Sequence, residues 1–154
     1  MSSSHTTINL FSVPRVGVST FIIRKINGVD CVLVGKRKGS HGEGCYQLPG
    51  GHLDYGETWE ECCKREVKEE TNLDVNNISF ITCTNDLFEK EQRHYVTIFL
   101  RSFTPDNEQQ AELLEPNKCE GWQWIEIEKL KELDHLFLPL ETFLKSNSVS
   151  KILP

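Results

Sequence analysis

Residues 50–73, GGHLDYGETWEECCKREVKEETNL, constrain this chain more than any other stretch. Thr58-Trp59-Glu60-Glu61 has the pattern of a capping box, with Thr58 as N-cap and Glu61 reaching back to it. Asn72 ends the helix, because asparagine tolerates the left-handed conformation next best after glycine. At helical spacing Glu66, Glu69 and Glu70 fall within an arc of about 100°, and Trp59, Cys62 and Cys63 lie over the same side. Like charges three or four residues apart cost roughly 0.2–0.5 kcal/mol per pair on an exposed helix, and more when partly buried. Either a cation offsets that cost, or the helix is a solvated face laced with ion pairs such as Glu60–Lys64 and Glu61–Arg65.

The residues before the helix favour the cation. Leu48-Pro49-Gly50-Gly51 leads through a loop to Gly56 and the helix start. Glycines let a backbone approach a ligand closely and expose its carbonyls. A carbonyl with two or three carboxylates makes a shell for a hard divalent ion that leaves room for water and phosphate. Mg²⁺ is the natural occupant, with Mn²⁺ as its substitute.

Around this segment the chain reads as strands with one strong central helix. Residues 16–23 are apolar and β-rich, Asn27-Gly28 signals a turn, and Cys31-Val32-Leu33-Val34 resumes a strand, which predicts a hairpin. Tyr46-Gln47-Leu48 is a short strand that Pro49-Gly50-Gly51 cuts off. Strands are predicted over 78–83, 95–103 and 122–125, a polar connection over 105–118, and short helices near 127–133 and 138–145. That order fits a mixed sheet covered by helices, an α/β arrangement. At 154 residues it is one domain over 13–147, with a flexible lead-in at 1–12 and a tail at 148–154.

Charge and cysteines narrow the function classes. The net charge of −6, from 17 Lys and Arg against 23 Asp and Glu, makes a nucleic-acid polymer a poor partner. No uncharged apolar run approaches the roughly 18 residues of a membrane span, and the first five residues lack a secretion signal. Six cysteines form no CxxC pair, which reads as free thiols in a reducing cytoplasm.

One family carries this pattern. Gly51, Glu57, Arg65-Glu66-Val67, Glu69-Glu70 and Leu73 stand at the spacing of the Nudix box, and the chain is similar to it at every defining position but Asn72, where the family has glycine. The resemblance extends to Gly35-Lys36-Arg37-Lys38-Gly39-Ser40, Gln47-Leu48-Pro49-Gly50-Gly51-His52-Leu53 and His94-Tyr95-Val96-Thr97-Ile98-Phe99. It also covers Glu115-Pro116, Lys118, Glu120, Trp122 and Trp124, and it points to the MutT-like nucleoside-triphosphate diphosphatases. It implies a mixed sheet sandwiched between helices (α/β/α) and Mg²⁺-dependent hydrolysis of guanine nucleotides, oxidised ones such as 8-oxo-dGTP included, to the monophosphate and pyrophosphate. A cytoplasmic homodimer follows from the same likeness. Dihydroneopterin triphosphate, a prenyl diphosphate, or a regulatory ligand-binding module on the same fold are the alternatives.

By that resemblance Glu66 and Glu70 hold the metal, with the Gly50 carbonyl, and Glu69 is a further ligand or the general base. Glu57 orients Arg65, in competition with a plain Glu61–Arg65 pair. Arg37, Gln47, Leu48, Gly51, Thr97 and Phe137 are the substrate-binding candidates. Trp122 and Trp124 share one strand face and read as core. Glu115 and Glu120 are either extra ligands or loop charge; His52 lines the site or lies on the surface; and the loop 39–44 with His41 is a flap or a plain connection.

Overall fold

A computed structural model describes residues 13–39 and 41–154. The lead-in expected over 1–12 lies outside the described residues. The first strand, β1 (Arg15–Ile26), sits in the middle of a seven-stranded sheet. Its last residues pair antiparallel with β2 (Val29–Arg37) across the Asn27-Gly28 turn, from Ile26↔Val29 to Ile23↔Val32. Both turn residues have positive φ, +50° and +80°, as a tight hairpin requires. Along its length β1 runs parallel to β6 (Arg93–Phe103), which pairs antiparallel with the edge strand β5 (Asn76–Phe88). On the other side β2 pairs with β3 (Tyr46–Gln47) and β7 (Cys119–Glu126).

Alternation along β1 builds two cores. Val18 and Ile22 face one side, where Cys62, Cys63 and Val67 of helix α1 (Trp59–Thr71) join Leu33, Ile98 and Leu100. Phe21 and Ile23 face the other, against Val32, Val34, Phe99 and Leu140, Phe143 and Leu144 of α2 (Leu138–Ser146). A strand buried on both faces reads as the continuous apolar run seen in the sequence. The result is the expected α/β/α sandwich.

Both ends of α1 match their signals. Thr58 Oγ1 accepts from the Glu61 N–H at 3.1 Å and the Glu61 carboxylate accepts from the Thr58 N–H at 2.8 Å. Asn72 adopts φ +58° and its N–H reaches the Lys68 carbonyl. Its side chain adds an exposed 2.8 Å bond to Glu112. Asn72→Gly therefore exchanges that bond for an unstrained left-handed residue, and thermal melting should place it within about 0.5 kcal/mol of the parent. A loss several times larger would overturn this account of the helix end.

Four expectations need correction. Gly50–His52 is a strand, β4, rather than a break: it pairs with Gly17–Ser19 of β1, because Gly50 has no Cβ to strike the Val18 backbone and so lets backbone meet backbone. β5 runs to Phe88, past 83, because its inward Asp86 is satisfied by the hydroxyls of Thr84 (2.7 Å) and Thr142 (2.6 Å) and so does not end the strand. The first late helix is a 3₁₀ segment, Ile127–Glu132. Residues 148–154 are tied down: Ile152 is fully buried in the α2-side core.

Candidate active site

Helix α1 presents its acids next to β4, and Arg65 organises them. Its Nε and one Nη bind both oxygens of Glu57, at 2.5 and 2.9 Å, while that Nη also donates to the His52 carbonyl at 3.1 Å. The other Nη reaches Glu66 at 2.8 Å and Glu69 at 3.4 Å. A two-pronged guanidinium–carboxylate pair fixes orientation as well as charge. Arg65 and the Asp54 N–H hold the Glu57 carboxyl down at about 2. Among the described residues neither Glu61–Arg65 nor Glu60–Lys64 forms an ion pair, since Glu61 is taken by the cap.

Glu66 and Glu70 are half-buried, whereas Glu69 on the same helix is exposed. The Glu66 carboxyl lies in a cradle against Gly51, where any Cβ would collide with it. Glu70 accepts the Gly50 N–H at 3.1 Å. Burial pushes both carboxyls upward, Glu70 strongly, and the charge of Glu115 adds to each. Glu115 is itself paired with Lys118 at 2.7 Å. Glu69 is half exposed and turned toward Arg65. Among the described residues no three acids, histidines or cysteines converge as a ready-made metal centre. The donors nevertheless fit a hard divalent ion: two oxygen ligands whose charge burial opposes, beside a glycine backbone no side chain shields.

The substrate-binding candidates share one recess. Arg37, Gln47, Leu48, Gly51, Thr97 and Phe137 all line a cavity of about 650 Å³, open mouth included, together with Gly50. Its far wall is aromatic: Phe88, Tyr95 and Phe137, with His41 among them. Arg37 stacks over the Phe137 ring at 4.0 Å and donates to Gln47 at 2.5 Å and to the His41 carbonyl at 3.0 Å. Tyr95 and Phe88 are residues the sequence reading missed. Tyr95 had a signal, since it lies two residues from Thr97 and therefore on the same strand face. His52 does line the recess, its Nε2 3.0 Å from the Tyr95 hydroxyl. Trp122 and Trp124 pack on the α1 side instead, Trp122 donating to the Glu70 carbonyl and Trp124 lying under the Arg24 guanidinium.

The two histidines of the recess are both pushed toward the uncharged form. Burial, then Arg37 and Arg93, push His41 down to about 4; burial, then Arg15, lowers His52. A histidine depressed on folding takes up its proton more readily in the unfolded chain. Stability should therefore fall as pH drops from about 6.5 toward about 4. Melting temperatures across that range should show this slope, and His41→Gln should flatten it; an unchanged slope would sink the assignment.

Comparison with known proteins adds to this geometry. Residues 13–144 match the family model described as NUDIX domain. The ADP-ribose pyrophosphatase of Methanocaldococcus jannaschii is 47% identical over 64 residues, 42% of this chain and 36% of that protein. The NAD-capped RNA hydrolase NudC of Vibrio atlanticus is 52% identical over 40 residues, 26% of this chain and 15% of that protein. The chain thus spans about a third or less of the length of these curated relatives. Among solved structures, a MutT NUDIX hydrolase from Burkholderia pseudomallei superposes with a TM-score of 0.69 at 26% identity, over 84% of this chain and 97% of that one. The NUDIX domain of Shewanella oneidensis NrtR, solved with ADP ribose, gives 0.72 at 16% identity over 95% and 97% of the two chains.

Proposed function

This chain belongs to the NUDIX domain family, and from that premise we propose that it is a Mg²⁺-dependent nucleoside triphosphate diphosphatase. It cleaves dGTP-like and oxidised guanine nucleotides such as 8-oxo-dGTP to the monophosphate and pyrophosphate. The observation that carries this reading is continuity: the aromatic recess is lined by Gly50 and Gly51, the same residues that hold Glu70 and Glu66. A planar base in the recess would thus sit beside the acids, with its phosphates toward them. Likeness to the Burkholderia MutT NUDIX hydrolase supports hydrolase chemistry on this fold.

Glu66, Glu70 and the Gly50 carbonyl would hold the divalent ion, Mg²⁺ or Mn²⁺. When bound, it neutralises phosphate oxygens and favours attack by water at phosphorus. The chain's own residues do the rest. Glu57 keeps Arg65 in place, and Arg65 keeps Glu66 oriented. Glu69, an exposed carboxylate 3.4 Å from Arg65 on the same helix as Glu66 and Glu70, would take the proton of the attacking water. Water adds to one phosphorus, the bridging P–O bond breaks, and the bridging oxygen leaves with pyrophosphate.

A second reading has its own support: the named curated relatives act on ADP-ribose or NAD-capped RNA. Both substrates join two phosphates to an adenosine, which would also fit an aromatic recess. One panel separates the readings. Purified protein with Mg²⁺ is offered dGTP, 8-oxo-dGTP, dihydroneopterin triphosphate, ADP-ribose, NAD and geranyl diphosphate. Fast pyrophosphate release from the guanine triphosphates is the expected result. AMP from ADP-ribose or NAD, with the triphosphates untouched, would replace it by the second reading.

A further inference from the structure

His41 reaches the recess from the connection between β2 and β3, outside the acidic helix and outside the sheet. Its ring lies edge-on to Phe88 with centroids 5.1 Å apart, 5.5 Å from Phe137, and 17° from parallel to Tyr95 at 6.4 Å. The backbone pins it there. Its carbonyl accepts from Arg37 Nε at 3.0 Å, and Gly42 packs so closely that a Cβ would meet the Phe137 ring at 2.8 Å. Arg93 Nη1 stands 3.1 Å from His41 Nδ1. A guanidinium can only donate, so Nδ1 accepts and the ring proton sits on Nε2. The imidazole is therefore a neutral, orientationally fixed aromatic wall.

We propose that His41 is a specificity-determining residue of this site: fixed by Arg93 in its neutral form, it completes with Phe88, Tyr95 and Phe137 an aromatic enclosure that selects diphosphate substrates bearing a planar base. The inference rests on the recess being the base site of the diphosphatase. It turns the choice among substrates into a choice of shape, because a flat heterocycle gains stacking surface from such rings that a flexible prenyl chain or a bare phosphate does not. Arg93 acts through His41 and is a positioning residue.

The test measures kcat/KM for dGTP and for inorganic tripolyphosphate in the parent, His41→Ala, His41→Phe and Arg93→Leu proteins. His41→Ala should lower the dGTP-to-tripolyphosphate ratio about tenfold, mainly through KM, whereas His41→Phe should restore the ratio to within about threefold of the parent. Imidazole nitrogen NMR should show one Nε2-protonated form of His41 in the parent and a mixture in Arg93→Leu. An unchanged ratio in a folded His41→Ala protein overturns the inference and leaves the diphosphatase reading standing. So do failure of His41→Phe to restore the ratio, and an Nδ1-protonated ring. A parent protein that turns over no base-bearing triphosphate removes both.

Discussion

Glu70→Gln should lower kcat/KM on the preferred triphosphate by about a thousandfold, or about 4 kcal/mol of lost transition-state stabilisation, and yet melt no lower than the parent in chelator. The two halves of that expectation have one cause. Glu70 is a carboxyl that burial and the neighbouring charges of Glu66 and Glu115 push well above its ordinary value. Its ionised form opposes folding, so the metal-free parent loses stability as pH rises from about 4.3 through that raised value. Glutamine removes the charge, retains an oxygen for the Gly50 N–H, and should abolish that decline. It also removes a ligand. Mg²⁺ should then raise the melting temperature of the parent, by mass action on the folded state, and leave the variant almost unmoved. Glu66→Gln should behave alike in activity. Full turnover in both variants, or an equal Mg²⁺ shift in parent and Glu70→Gln, would refute the metal assignment.

What the sequence could and could not reveal follows from the range of each interaction. The helix and its ends were legible because their causes are local: Thr58 and Glu61 satisfy each other three residues apart, and Asn72 stops the helix by its own conformation. The acids were legible because helical spacing alone brings Glu66 and Glu70 to one face. The Glu57–Arg65 pair needed the family likeness, since the helix by itself offered Glu61 equally well. The recess was harder. Arg37, Gln47, Thr97 and Phe137 come from four separate parts of the chain, and only resemblance joined them before the fold did. Tyr95 shares the period of Thr97 and could have been found. Asp86 concealed the length of β5, because its two hydroxyl partners include one 56 residues away. His41 could not have been placed, as its ring is fixed by Arg93, 52 residues on.

Gly50→Ala should cost about 3 kcal/mol or more and lower the melting temperature by about 10 °C, with activity lost alongside it. Gly50 has φ +156° in the β4 strand, paired with Ser19. A Cβ there would run into the Val18 carbonyl and stand 2.9 Å from the Ser19 Cα, both backbone atoms of the central strand. Backbone in a sheet buried on both faces has nowhere to retreat, so β4 must leave β1. It would take the Gly50 N–H away from Glu70 as it goes. Gly51→Ala is the control. The atoms its Cβ meets first are those of the Glu66 carboxyl, the end of a side chain that can swing aside. That variant should melt close to the parent yet lose most of its turnover. The two neighbouring glycines thus separate holding the sheet from seating the acid, and a Gly50→Ala protein as stable as Gly51→Ala would show that β4 does not depend on this close approach.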